Sequence, residues 1–189
     1  MNRVAYILPA AALASGCLSP APKAPENWTI GPIDGGVLRA DAPKWQDGVR
    51  LSRLEVRAPY DAQRLAVLRP DGSVAMDPAN AFAASPSALL RGAAFDVLAA
   101  SGLATPSVEP GSAASARRSL EVTVTRLALD CRDAGSRKAL VELAATLLDG
   151  RKIEGTARAS FAEDAAEGNY TTAFSVAFAR AMADALKRL

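Results

Sequence analysis

The chain has 189 residues and a formal net charge of +2, with 22 Lys and Arg against 20 Asp and Glu and no histidine. So even a balance leaves no basic footprint for nucleic acid. The lack of imidazole removes the commonest general base, the commonest metal ligand and Ser-His-Asp chemistry, so a non-catalytic protein without metal or cofactor is expected.

Met1, Asn2 and Arg3 form a short cationic head. Val4 to Leu13 is an apolar run of about ten residues, the length of a signal-peptide core and too short to span a bilayer. Leu13-Ala14-Ser15-Gly16 then leads small residues into Cys17. This stretch resembles a bacterial lipobox. The resemblance implies cleavage before Cys17, a diacylglyceryl group on its thiol and a fatty acyl chain of the palmitate class on the new amine. Ala14 stands where leucine is commonest, with Leu13 one place earlier. The other reading is an ordinary secretory signal that happens to hold a cysteine. Leu18 is not the aspartate of an inner-membrane retention signal, so the periplasmic face of a Gram-negative outer membrane is the expected address. Two or three acyl chains, at about 0.8 kcal/mol per buried CH₂, hold a chain far better than one.

Residues 1–16 thus read as the signal peptide and 17–27 as a lipidated cysteine with a Pro/Ala-rich tether. Residues 28–189 read as a single α+β domain. Ser19-Pro20-Ala21-Pro22-Lys23-Ala24-Pro25 is too rich in proline for helix or sheet. Trp28, Ile30 and Ile33 suggest a short first strand, kept short by Gly31, Pro32, Gly35 and Gly36. Asp41 to Gly48 reads as loop. Val49 to Val56 alternates, with a change of phase that suggests a bulge near Ser52-Arg53. Ala58-Pro59-Tyr60-Asp61 is a turn, and Leu65, Val67 and Arg69 continue as strand. Pro70-Asp71-Gly72-Ser73 is a turn signal that lets Val74 to Asp77 pair back.

Ser85-Pro86 has the form of a helix start, and Leu89, Leu90, Ala93, Val97 and Leu98 give an apolar face up to about Ser101. Gly102 is a natural left-handed cap, with Leu103 folding back. Phe82 has two readings, a hydrophobic staple before the helix and an exposed contact. Thr105 to Arg118 reads as loop, and its Arg117 and Arg118 are candidate contacts for a partner or an anionic lipid, or plain solvated charge.

Leu120, Val122 and Val124 alternate in one phase and Leu127, Leu129 and Cys131 in the other, which fits one long strand bulged at Thr125-Arg126. Lys138 to Leu148 fits helix and strand alike. The Asp149-Gly150 turn and the alternation of Ile153, Ala157, Ala159 and Phe161 favour a strand on each side. Acidic Glu163 to Glu167 is expected to complement the N-terminus of a last helix. From Asn169 to Leu189, Tyr170, Ala173, Phe174, Ala177, Phe178, Ala181, Met182, Ala185, Leu186 and Leu189 form one wide apolar face. So many alanines imply close packing on a sheet or another helix. With Cys17 lipidated, Cys131 has no partner in the chain and reads as a small buried hydrophobe.

The order of these pieces resembles the ABC-type transport auxiliary lipoprotein family, which includes the Pqi-type outer-membrane lipoprotein. The likeness rests on Leu54-Glu55-Val56-Arg57-Ala58-Pro59-Tyr60-Asp61 followed by Arg64-Leu65-Ala66-Val67-Leu68-Arg69. It continues through Ala79-Asn80-Ala81-Phe82-Ala83-Ala84-Ser85-Pro86-Ser87 and Leu98-Ala99-Ala100-Ser101-Gly102. Leu120 to Val124, Leu129-Asp130-Cys131-Arg132-Asp133, Lys138 to Leu143 and the Asp149-Gly150 turn complete it. The chain departs from the pattern at Ala79 or Ala81, where the family often has an aromatic residue.

The resemblance implies an α+β fold with an antiparallel-rich sheet and two amphipathic helices packed on one face. It also implies a non-catalytic, lipid-anchored periplasmic component of an ABC transport system. Its partners would be a mammalian-cell-entry (MCE) substrate-binding protein and the ABC permease and ATPase, which move phospholipid or related apolar molecules across the envelope. A ring of identical subunits is compatible with that role. The alternative is a lipoprotein scaffold of another envelope machine, for lipopolysaccharide or pilus assembly. A carboxylate-dependent enzyme, using Asp130 with Asp133 or Glu163 with Asp164, lacks a recognisable catalytic frame.

Overall fold

The computed structural model describes residues 26–30, 40–133, 135–166 and 168–189. Cys17, the signal peptide, the tether up to Pro25 and Ile33 lie outside the described residues. The elements run β1 (Glu26–Trp28), β2 (Val49–Val56), β3 (Arg64–Leu68), β4 (Val74–Phe82), α1 (Pro86–Ser101) and β5 (Ser107–Val108). β6 (Arg118–Asp130), β7 (Lys138–Asp149), β8 (Lys152–Asp164) and α2 (Tyr170–Arg188) complete the chain.

All the strands join one sheet whose spine is β6. One edge of β6 pairs antiparallel with β7 along its whole length. The other edge is shared end to end, with β2 parallel to Arg118–Val124 and β3 parallel to Leu129–Asp130. β5 lies parallel beyond β2, β4 antiparallel beyond β3, and β1 parallel beyond β4. β8 lies antiparallel beyond β7. The antiparallel expectation holds for the long β6–β7–β8 meander and the β3–β4 hairpin. The pairings of β1, β2 and β5, and of β3 with β6, are parallel, so the sheet is mixed. Parallel partners need crossover connections, and the chain carrying α1 supplies the one from β2 to β6.

Both expected bulges are present. The β2–β6 register shifts between Leu51 and Arg53, and the β6–β7 register between Val124 and Arg126. One extra residue flips the alternation, so Leu51 and Leu54 share a face, as do Val124 and Leu127. Each of these four side chains is at most 3 % exposed. Val141, Leu143, Ala145 and Leu147 of β7 pair with the inward set of β6 and are equally buried, so the ambiguous stretch is strand. The turn to β8 closes over Gly150 and Arg151, with Asp149 opposite Lys152 and Gly150 at φ 61°.

Several local expectations need correction. The first strand is Glu26–Trp28, so Glu26 and Asn27 belong to the sheet and not to the tether. β4 runs on to Phe82, because the residues around Pro78 bulge out between the Ala66–Met76 and Arg64–Ala81 pairs and pairing resumes after them. Proline has no N–H to give a ladder. The loop from Thr105 contains β5, and Trp45 in the preceding loop, 4 % exposed, bridges to Ala104. Glu163 and Asp164 end β8 instead of opening α2, whose first turn holds no acidic residue.

α1 starts at Pro86 and stops at left-handed Gly102, φ 65°. Its N-cap differs from expectation. Ser85 makes no side-chain cap bond. Instead Asp61, from the turn after β2, accepts the Ser87 backbone N–H at 2.9 Å and the Ser87 hydroxyl at 3.2 Å. A carboxylate is favoured there by the positive end of the helix dipole. At the other end Ser101, fully buried, donates to the Leu98 carbonyl and accepts from Leu103 N–H.

α2 lies across β7 and β8 and touches α1, which rests on β2 and β5. Its alanines at 177, 179, 181 and 185 are fully buried beside Phe174, Phe178, Met182 and Leu186. Each buried large side chain stabilises the fold by roughly 1.5–3 kcal/mol. The facing strands are small too, with Ala157 and Ala159 inward, and a Cβ on Gly155 would meet Leu189 at 3.4 Å. Arg180 binds Glu163 at 3.1 Å and lies over the Phe161 ring, fixing the helix to the end of β8.

The capping arrangement gives a contrast in stability. Asp61→Ala should lower unfolding free energy by about 1 kcal/mol, and Ser85→Ala should change it by less than about 0.5 kcal/mol. Urea unfolding of both variants measures the difference.

Candidate functional site

The described chain enters the sheet at β1, its outer edge. β1 lies parallel to Asn80–Phe82, and the Trp28 carbonyl accepts from Ala83 N–H. Trp28 Nε1 donates to Asn80 Oδ1 at 2.8 Å, and its ring meets Tyr170 edge-on at 5.4 Å. Asn80 in turn donates to Asp77, so the bulge of β4 is braced against the strand that it carries. Behind this layer Phe82 meets Phe174 edge-on at 5.8 Å. The seam lined by Trp28, Leu65, Phe82, Tyr170 and Phe174 has no space for even a water molecule. There is therefore no groove for an acyl chain at this seam.

Phe82 is 4 % exposed. That is a core position, with its ring against Phe174 of α2, and it leaves little aromatic surface exposed. Its burial follows from β4 running on to the sheet edge beneath α2, where an aromatic ring fills the space beside Phe174.

Arg117 and Arg118 sit together at the opposite end of the sheet, where β6 begins. Arg117 donates twice to Asp149 at the β7–β8 turn, at 2.7 and 3.1 Å. Arg118 makes a bidentate pair with Glu154 of β8 at 2.7 and 3.3 Å. Both lie within 3.7 Å of Asp47 in the loop before β2. The two arginines thus tie three segments together. The hydrogen bond from Arg117, and then its charge, hold the Asp149 carboxyl below its ordinary 3.8. Arg118 is only 17 % exposed and fully engaged, whereas Arg117 keeps an exposed side chain.

One carboxylate of each pair weighed as catalytic is engaged elsewhere. Asp130 accepts two bonds from Arg132, which hold its carboxyl below the ordinary range. Glu163 is held by Arg180. Cys131 is half-buried against the core, and burial pushes its thiol upward.

The face of the sheet turned away from the helices holds a small buried apolar cluster of Ala66, Leu68, Ala128 and Leu140 at one end and is polar beside it. Alternation puts Val141, Leu143, Ala157 and Ala159 inward and Glu142, Ala144, Arg158 and Ser160 outward. At the β6 bulge this face forms an open cleft of about 620 Å³, lined by Arg57, Thr125, Glu142, Arg158, Asp184 and Arg188 among others. Glu142 is paired with Arg126 at 2.8 Å and Asp184 with Arg188 at 2.7 Å. Arg188 also donates to the Arg158 carbonyl, so the last turn of α2 reaches the β8 edge. Arg57 and Arg158 have no carboxylate partner among the described residues. Sequence reading missed both. Alternation in β8 marks Arg158 as outward, but only the strand register puts it in a row with Arg57.

Cys17 lies outside the described residues. Among the described residues no group of His, Cys, Asp and Glu is placed to hold a metal ion, and no helix is long and apolar enough to cross a membrane.

Two measurements follow. Asp149 should titrate below 3.8, and Arg117→Gln should raise it, as followed by carboxyl NMR. A depressed folded-state pKa stabilises above the unfolded value and loses that contribution as pH falls through the folded one, so this effect fades below pH 3.8. Trp28→Ala should cost about 2 kcal/mol, less than a fully buried Trp, and should expose the Ala83 amide to hydrogen exchange.

No family model matches the sequence. No curated protein matches it either. Solved structures do. A protein from Xanthomonas campestris described under the family model DUF330 superposes with a TM-score of 0.68 at 14% identity, covering 87% of this chain and 92% of its own. A second, described only as an uncharacterized protein, gives 0.58 at 11% identity, over 84% and 96%. At such identities the likeness establishes the fold: this chain shares the α+β architecture of the DUF330 structure over most of its length.

Proposed function

We propose that the chain is a non-catalytic, lipid-anchored periplasmic component of an ABC/MCE-type transport system, held at the outer membrane through Cys17. The observation that carries this reading is the continuity from anchor to fold. Leu13 to Cys17 has the form of a lipobox, and the sheet takes up the chain at Glu26 with Trp28 locked in place. The intervening chain spans at most about 32 Å fully extended. A lipid on Cys17 therefore keeps the β1 edge within roughly one domain diameter of the bilayer. The order of motifs that resembles the transport auxiliary lipoproteins supports the same reading, and the DUF330 likeness is compatible with it. In this role ATP hydrolysis and cargo movement belong to other subunits, and this domain positions them.

The test separates the anchor from the fold. A Cys17→Ala chain exported by a signal that releases it should keep the thermal unfolding midpoint of the acylated protein and lose transport-dependent growth under envelope stress. Full complementation by the released form would sink the tethering role.

A further inference from the structure

We propose that the open sheet face at the β6 bulge is a docking surface for an acidic, extended segment of a partner protein. This goes beyond the transport reading and does not depend on the anchor.

The geometry begins with the bulge. A bulge raises local twist and bends its strand, and the cleft lies where β6 is bulged, between Val124 and Arg126. The register gives the cleft its row. Arg57 follows the Val56–Val124 pair, with its N–H bonded to the Val124 carbonyl. Across β7 and β8 come Glu142 opposite Ser160, and Ala144 opposite Arg158. Arg57 and Arg158 are thus about three strand spacings apart across the sheet and two residues apart along the strands, roughly 16 Å, a gap that two long arginine side chains can narrow.

The charges select the occupant. Arg57, Arg158 and Arg188 line the cleft with Glu142 and Asp184. Arg126 neutralises Glu142 and Arg188 neutralises Asp184. Two exposed guanidiniums remain unmatched, one on each side of Glu142. Guanidinium suits bidentate recognition of carboxylate. An extended chain rises about 3.4 Å per residue, so carboxylates four residues apart meet both arginines while neutral residues pass Glu142. A bilayer presents anionic charge without gaps, whereas a peptide can set neutral residues over the paired Glu142 and Asp184 and carboxylates only at the two arginines, which favours the peptide.

The test uses the purified full chain and a fluorescent twelve-residue peptide with glutamate at every fourth position in a Ser/Thr background. Binding should weaken as salt rises. Arg57→Gln and Arg158→Gln should each weaken it about fivefold, with no loss for Arg53→Gln, whose side chain on the same face is already paired with Glu55. Unchanged urea midpoints show that the variants fold. As a second variant, the double Arg57→Glu, Arg158→Glu chain should prefer the lysine counterpart of the peptide. Equal binding of a glutamine version of the peptide, or undiminished binding by the double Gln variant, would overturn the proposal. So would a failure of the glutamate peptide to bind, or binding of phosphatidylglycerol vesicles in its place that is lost with the same two arginines.

Discussion

The structure depends on how closely α2 can approach β7 and β8. Alanine on the helix meets alanine on the strands, and Gly155 leaves room for Leu189. Interiors are packed like organic crystals, so small residues on both sides bring backbones together and leave little space between the layers. Phe178, Met182 and Leu186 are buried between the alanines, and two further aromatic rings close the start of the helix. Phe174 fills the gap under β4, and Tyr170 receives Trp28 at the sheet edge. The seam at that edge is full, so this domain has surfaces, not this interior seam, with which to meet a ligand.

Local physics made much of this legible in advance. The breaks of phase at Ser52-Arg53 and Thr125-Arg126 could be read as bulges because only an extra residue keeps both halves of a strand on the core face. Proline after Ser85 and the glycine at 102 bounded α1. The Asp149-Gly150 turn decided β7, whose own residues fit two periods. The hidden features are those made by distant partners. Asp61 caps α1 from 26 residues away, and nothing near Ser85 announces it. The parallel seats of β2 and β3 along β6 depend on crossovers that alternation does not encode. Trp28 reads as strand in the sequence, but its seat beside β4 depends on Asn80 and Tyr170.

The candidate sites show the same division. Arg117 and Arg118 stand out in the sequence as a pair, yet three acidic partners in three segments turn them mainly to holding the sheet end together. Phe82 stands out as a surviving aromatic, yet it fills the core. Arg57 and Arg158 are inconspicuous singly, and the register of four strands brings them to one cleft. The bulge at Thr125 connects the two levels. It is visible as a phase break in the sequence, it keeps Leu127 in the core, and it shapes the face on which the unmatched arginines lie. The anchor side and this cleft are separate parts of the molecule, one at β1 and the first turn of α2, the other at the outer side of β6, β7 and β8 with the last turns of α2.

The measurement that bears most directly on the account is in-cell crosslinking of the tagged chain, followed by mass spectrometry of the recovered proteins and of the Cys17 peptide. The account predicts an acylated Cys17 and recovery of an MCE-type substrate-binding protein with its ABC permease. An unmodified Cys17, or recovery of a lipopolysaccharide or pilus assembly machine instead, would contradict it.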